Sequence, residues 1–346
     1  MYTTAPYGIR IYQRKGSNTM KPVNTLPEKP NLANAKNKGF FKKTWKYFRR
    51  DWQLHLLILL PVVYLLIFHY WPMYGAQIAF RDFNSRKGIT GSDWVWFKHF
   101  IKFFTSPKFE QVLPNTLILS LYTIAVSFPL PIIFALMLNT VQNEKFKKFT
   151  QYIAYMPHFI SMVVIVNLMN LVCSPINGVY GNLFRALGGV GYPMDFRGAA
   201  DTFRHMYVLS GIWQNLGWNT IIYTAALAGV SQDLHEAAMM DGATRWKRVI
   251  HIDLPSILPT VCIMLIMRFG NVLDIGFEKA YLMQTDINTT TSEIISTYVY
   301  KVGLNMANNF SYAAAVNLFN SVVNCALLLM VNAITNKLSN REVSLF

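Results

Sequence analysis

Residues 233–255 read Asp233-Leu234-His235-Glu236-Ala237-Ala238-Met239-Met240-Asp241-Gly242-Ala243-Thr244-Arg245-Trp246-Lys247-Arg248-Val249-Ile250-His251-Ile252-Asp253-Leu254-Pro255. Two short helical patterns meet here at a glycine. Leu234, Ala237, Ala238 and Ala243 make a small, flat apolar surface, to which Glu236 and Asp241 add negative charge. Beyond Gly242, Trp246, Val249, Ile250 and Ile252 follow at helical spacing, with Arg245, Lys247 and Arg248 between them. Gly242 supplies the positive φ that lets one helix end and the next begin. Pro255 suits the first turn of a following helix, where a missing N–H is no loss. The stretch therefore predicts an amphipathic helical hairpin. Its small residues let the groove of another protein approach closely, which is the build of a docking element.

Long apolar runs lie on both sides of the hairpin. A helix needs about 20 mostly apolar residues to cross a hydrocarbon layer of about 30 Å. Six segments qualify, at 54–72, 117–138, 152–172, 206–227, 257–276 and 312–334. Pro61, Pro129, Pro131 and scattered Asn interrupt them, which membrane helices tolerate where neighbours satisfy the freed backbone groups. The composition agrees. Hydrophobic residues make up 53% of the 346, and charged residues 14%, against roughly 25% charged in soluble domains. So few charges cannot cover a large aqueous surface. The expectation is an all-α membrane protein with six transmembrane helices, in which the hairpin joins spans four and five.

The net charge of +15 is unevenly placed. Residues 1–50 hold 12 of the 32 Lys+Arg and one acid, Glu28. The chain thus divides into a basic cytosolic tail over 1–50 and a transmembrane domain over 51–346. Residues 1–35 are poor in aliphatics and rich in Asn, Pro and Lys, a composition that favours disorder. The following Gly39-Phe40-Phe41-Lys42-Lys43-Thr44-Trp45-Lys46-Tyr47-Phe48-Arg49-Arg50 mixes aromatics and cations, as expected beside membrane lipid. Nucleic acid is not needed to explain that cluster, because the basic groups end where the first span begins. That span closes on His69-Tyr70-Trp71-Pro72, which is unsuited to signal cleavage, and so it is read as retained. With both termini cytosolic, the inner segments hold 20 Lys+Arg and the outer ones 11, as the positive-inside rule requires.

Several chemistries find no residues here. There is no Gly-Lys dipeptide and hence no Walker A loop, and no HExxH, GxSxG or EF-hand pattern. Cys173, Cys262 and Cys325 are far apart and outside any ligand spacing, and read as small buried hydrophobes. No catalytic residue, metal site or cofactor is expected in this chain. If ATP drives it, another chain hydrolyses the ATP.

The hairpin resembles the cytosolic signature of the ABC importer permeases. That signature runs Glu-Ala-Ala, three residues, Gly, nine residues, Ile, one residue, Leu-Pro. Glu236-Ala237-Ala238, Gly242, Ile252 and Leu254-Pro255 stand at that spacing. Trp71-Pro72-Met73-Tyr74-Gly75, Asn115-Thr116-Leu117, Tyr155-Met156-Pro157-His158-Phe159, Trp213-Gln214-Asn215-Leu216-Gly217-Trp218 and Gly276-Phe277-Glu278 are similar to the branch that takes up oligosaccharides and polysaccharides. The resemblance runs from about Trp52 to the C-terminus. It implies a type I importer fold with a five-helix core in spans two to six, in a bacterial cytoplasmic membrane. It also implies a second permease subunit, usually in a heterodimer, two cytosolic ABC ATPase subunits, and an extracytoplasmic sugar-binding protein. By the same resemblance Glu236 contacts the ATPase groove, Ala237, Ala238 and Ala243 pack in it, and Asp241, Gly242, Arg245, Leu254 and Pro255 complete the coupling loop. Alternating access, driven by ATP through that loop, is the implied mechanism.

Polar residues within the spans are candidates for the substrate pathway. Arg268 falls about twelve residues into span five, roughly 18 Å along it. It either faces the pathway and attracts an acidic sugar such as a uronate, or is held by a salt bridge or a carbonyl in a neighbouring span or subunit. Asp274 is about 120° round the same predicted helix. Asn215, Trp218, Asn219 and Asn271 offer amides and an aromatic face suited to sugars. Asn317, Asn320 and Asn324 share one face of span six, where hydrogen bonding between helices is the simpler account. The rival from another class is an ion-coupled secondary transporter, for which paired intramembrane acids and an internal repeat of spans would be expected. Neither is evident.

Overall fold

The computed structural model describes residues 50–305 and 309–338. The predicted basic tail lies outside the described residues except for Arg50. Two compact units meet in sequence at Trp71 and Pro72.

In the first unit, helix α1, Trp52–Leu65, runs into a π turn, Leu66–Tyr70. Leu, Ile and Val dominate all sides of it, and none of its residues is buried. A helix apolar all round is the pattern of a membrane span.

The second unit opens with a 3-10 turn, Tyr74–Phe80, and a two-stranded antiparallel hairpin, β1 Arg81–Asn84 and β2 Gly88–Trp94. This hairpin corrects the all-α expectation at one expected outer loop. Gly88 turns it with φ +70°. Ser92 holds it by donating to the Gly88 carbonyl at 2.6 Å and accepting from Asn84 N at 3.0 Å.

Helices make up nearly all the rest. They are α2 Lys98–Phe104, α3 Pro107–Ser127, α4 Pro129–Thr140, α5 Glu144–Tyr155, α6 Met162–Cys173, α7 Val179–Ala186 and α8 Ala200–Ala228. The helical hairpin supplies α9 Gln232–Met240 and α10 Arg245–Arg248, and after it come α11 Leu254–Phe269, α12 Phe277–Met283, α13 Thr289–Ser292, α14 Ile295–Tyr300 and α15 Phe310–Leu338. Side-chain caps set several starts. Ser106 accepts from Lys108 N before α3, Asn143 from Lys145 N and Phe146 N before α5, and Ser161 from Val164 N before α6.

Helix α8 is the hub, packing against α3, α4, α5, α11, α12 and α13. Gly217 permits its close crossing with α5, since an added Cβ would run into the Ala154 carbonyl and the Tyr155 ring. Leu119, Val166, Phe203, Tyr207, Val208 and Ile275 form the main buried cluster. Ile132, Ala135, Tyr223, Leu227 and Ile257 form a second between α4, α8 and α11.

By length and apolarity four helical stretches can cross a membrane: Trp52–Phe80, Pro107–Thr140, Arg245–Phe269 and Phe310–Lys337. The pair Glu144–Phe159 and Met162–Cys173 makes a fifth if taken together, bent by 99°. The expected straight span at 152–172 is therefore broken beside Pro157 and Ser161. Helix α8, the expected fourth span, is 29 residues long. Asp201, Arg204, His205, Gln214, Asn215 and Asn219 along it keep its apolarity low.

Span five also departs from expectation. Its helix ends at Phe269, not at 276. Arg268 lies in the last turn, and Asn271 and Asp274 follow on non-helical backbone, so Asp274 is not 120° round a shared helix. Ser120 Oγ donates to the Val272 carbonyl, and Leu273 N donates to Asn324 Oδ1 at 2.9 Å. Irregular backbone among spans persists only where such partners satisfy it. Cys325, expected to be buried, is exposed on the outward face of α15 with Val322 and Leu329.

Candidate functional site

Two regions hold the residues singled out above. The first is the helical hairpin expected to dock a partner. Helix α9, Gln232–Met240, starts at Ser231, whose Oγ accepts from Asp233 N at 3.2 Å. It ends where Gly242 takes φ +73°. Gly242 N donates to the Met239 carbonyl at 3.0 Å and Ala243 N to the Ala238 carbonyl at 2.9 Å. That pair of bonds is a Schellman turn, which needs a left-handed residue where the glycine stands. Thr244 then caps α10, Arg245–Arg248, by accepting from Lys247 N. A π turn, Val249–Asp253, carries the chain into α11.

No residue of α9 is buried. Glu236, Ala237, Asp241, Gly242, Arg245, Leu254 and Pro255 are exposed, and Ala238 and Ala243 are partly so. Met240 is 89% exposed and Trp246 71%. An apolar surface of this kind, rimmed by charge and attached by turns at both ends, is free to receive a partner.

The second region is a cavity of about 510 Å³ between α3, α8 and the segment 268–279, within the range of roughly 300–1,000 Å³ usual for small-molecule sites. Five of the six expected pathway residues line it: Asn215, Asn219, Arg268, Asn271 and Asp274. Trp218 does not. It sits on a neighbouring face of α8, stacked on His158 with ring centroids 4.3 Å apart. His158 Nδ1 in turn reaches Asn215 Oδ1 at 3.0 Å.

Arg268 is exposed and makes no ion pair among the described residues. Lys279 is a lining residue that the sequence reading passed over. It is 4% exposed, with Nζ donating to the Tyr207 carbonyl at 2.7 Å and lying 4.7 Å from the centre of the Tyr207 ring. Loss of water pushes its ammonium down to about 7. In sequence it is one more charge in an expected outer loop, and nothing local signals its burial, which comes from α12 packing on α8. Asp274 and Glu278 also line the cavity, so its charge is mixed.

The profile of the binding-protein-dependent transport system inner membrane components matches residues 127–340. The chain belongs to that family. The permease is 41% identical over 290 residues to a polygalacturonan/rhamnogalacturonan transport system permease protein of Bacillus subtilis (strain 168), covering 84% of this chain and 89% of the relative. In three dimensions it is similar to a chain of a bacterial ABC transporter involved in import of the acidic polysaccharide alginate. The TM-score is 0.78 at 36% identity, over 86% of the permease and 99% of that chain. A second structure of an alginate transporter, in complex with a periplasmic protein bound to an alginate pentasaccharide, matches with a TM-score of 0.78 at 35% identity, over 87% and 99%. The permease therefore has the importer fold, with several membrane-spanning helices. Family membership also removes the ion-coupled secondary transporter.

Proposed function

We propose that this permease is one half of the translocation pathway of an ATP-driven importer of oligosaccharides, with acidic sugars as its cargo. A second permease subunit forms the other half, in a heterodimer. A cytosolic ABC ATPase dimer binds α9 through Glu236, Ala237, Ala238 and Ala243, with Asp241, Gly242, Arg245, Leu254 and Pro255 holding the loop in shape. An extracytoplasmic binding protein delivers the sugar, and both termini lie in the cytosol. The chain binds no cofactor or metal, and the ATP is hydrolysed by its partners.

The cargo assignment rests on Arg268. Its guanidinium lines the cavity with no carboxylate partner among the described residues, and a planar fork of donors suits a uronate carboxylate. Asn215, Asn219 and Asn271 are placed to meet hydroxyls. Asp274 and Glu278 share the lining, so a uronate would be held by local contacts to Arg268 and Lys279, not by a uniformly positive field. The polysaccharides named for the relatives, polygalacturonan and alginate, are acidic in the same way. Alternating access follows from differential affinity, because ATP favours the closed ATPase dimer and thereby one arrangement of the docked loops.

Uptake of neutral and uronic oligosaccharides by Arg268→Gln tests the cargo. Loss of one charged hydrogen bond, about 1.5–3 kcal/mol, should lower uronate uptake roughly tenfold or more and leave neutral uptake near normal. Equal loss of both would remove the acid-specific reading.

A further inference from the structure

Asp253 has a buried carboxylate, 2% exposed, in the π turn that joins α10 to α11. Such a group needs an opposite charge or a set of donors, and its own element supplies neither. Two other elements do. His235 Nε2, on α9, lies 3.1 Å from Asp253 Oδ1. Asn139 Nδ2, in the last turn of α4, donates to the same oxygen at 3.3 Å. One atom thus gathers the docking helix, the end of α4 and the start of α11.

The rest of α9 makes that contact consequential. The helix buries no residue, and the chain enters and leaves it through turns at Gly229 and Gly242. A helix hung between two turns can swing without moving what lies beyond them. Among the described residues, His235 to Asp253 is the one side-chain hydrogen bond or ion pair from α9 to a span. When the imidazole is charged, the bond is of the stronger, charge-assisted kind.

We propose that His235, Asp253 and Asn139 form the joint through which displacement of α9 is passed to α4 and α11 together. This rests on α9 being the ATPase-docking helix. His235 and Asp253 are positioning residues in this scheme. They bind neither nucleotide nor sugar, and they remove the freedom of α9 to move alone.

The test uses the complete transporter in proteoliposomes, with the native cysteines replaced and Thr123→Cys placed in the cavity wall. Labelling of that cysteine by a membrane-impermeant maleimide is compared with and without ATP and vanadate, while co-purification of the ATPase is followed in parallel. The parent should show an ATP-dependent change in labelling rate of roughly fivefold or more, the lower end of usual coupling. His235→Ala should bring that change close to none with the ATPase still bound. His235→Gln, which keeps a donor, should restore it, and so should the exchange of His235→Asp with Asp253→His. Full ATP dependence in His235→Ala would overturn the joint, as would loss of the ATPase from that variant. Glu236→Arg separates the underlying reading, since an ATPase that stays bound to it is not docked on α9. A parent whose labelling ignores ATP would overturn both.

Discussion

Gly242 shows how much can hang on one backbone angle. An added Cβ there would meet no atom within 4 Å, so crowding is not what excludes a side chain. The φ of +73° is. An L-residue pays about 1–2 kcal/mol for that conformation, a β-branched one more, and avoiding it breaks both bonds of the turn that closes α9. Gly242→Val should therefore abolish uptake while the protein still reaches the membrane in normal amount. Gly242→Asn, which tolerates the left-handed region, should keep a substantial part. Transport assays beside quantification of the membrane fraction check both, and normal uptake by the valine variant would remove the coupling role. The glycine was legible because its neighbours carry the helical period on either side. Lys279 was not, because its burial is made by Tyr207 and Gly211, some seventy residues earlier in the chain.

Span five illustrates the limit of periodicity for a whole helix. Residues 257–276 are apolar enough to predict one continuous element, yet the helix stops at Phe269. The groups that make the break tolerable are Ser120 on α3 and Asn324 on α15, and no window along span five contains them. Asn324→Leu should leave the Leu273 N–H unpaired at a cost of about 1–3 kcal/mol. The expected result is a lower midpoint of thermal unfolding for the purified transporter, whereas Asn317→Leu, at an exposed position of the same face, should change little. Equal midpoints for the two variants would show that Asn324 does not support the break. The spacing of Asn317, Asn320 and Asn324 predicts bonding between helices, whereas Asn324 accepts from the non-helical backbone that follows α11.

Across the molecule, the composition separated membrane from water correctly, and the number of spans was harder. Five stretches reach the length and apolarity of a crossing once the bent pair is counted. The remaining expected span, the fourth, α8, is the one on which the others pack, and its polar groups face neighbours where hydropathy sees only polarity. Sidedness can be read by chemical labelling of intact cells. Cysteines at Met240 and Trp246 should react with an impermeant reagent only after the cells are opened, and one at Arg86 without opening them. The reverse pattern would invert the assignment of the docking hairpin.

Lys279 carries a last consequence, for the conditions in which such cells feed. With its ammonium near 7, the side chain passes from mostly neutral at pH 8 to mostly charged at pH 6, about 10% to about 90% by simple titration. Sugar carboxylates, with the ordinary pKa of a carboxyl group, stay ionised throughout. Mild acidity should therefore favour capture of an acidic cargo relative to a neutral one. Such a preference should flatten in Lys279→Arg, whose charge does not titrate, and uptake ratios at pH 6 and pH 8 would reveal it.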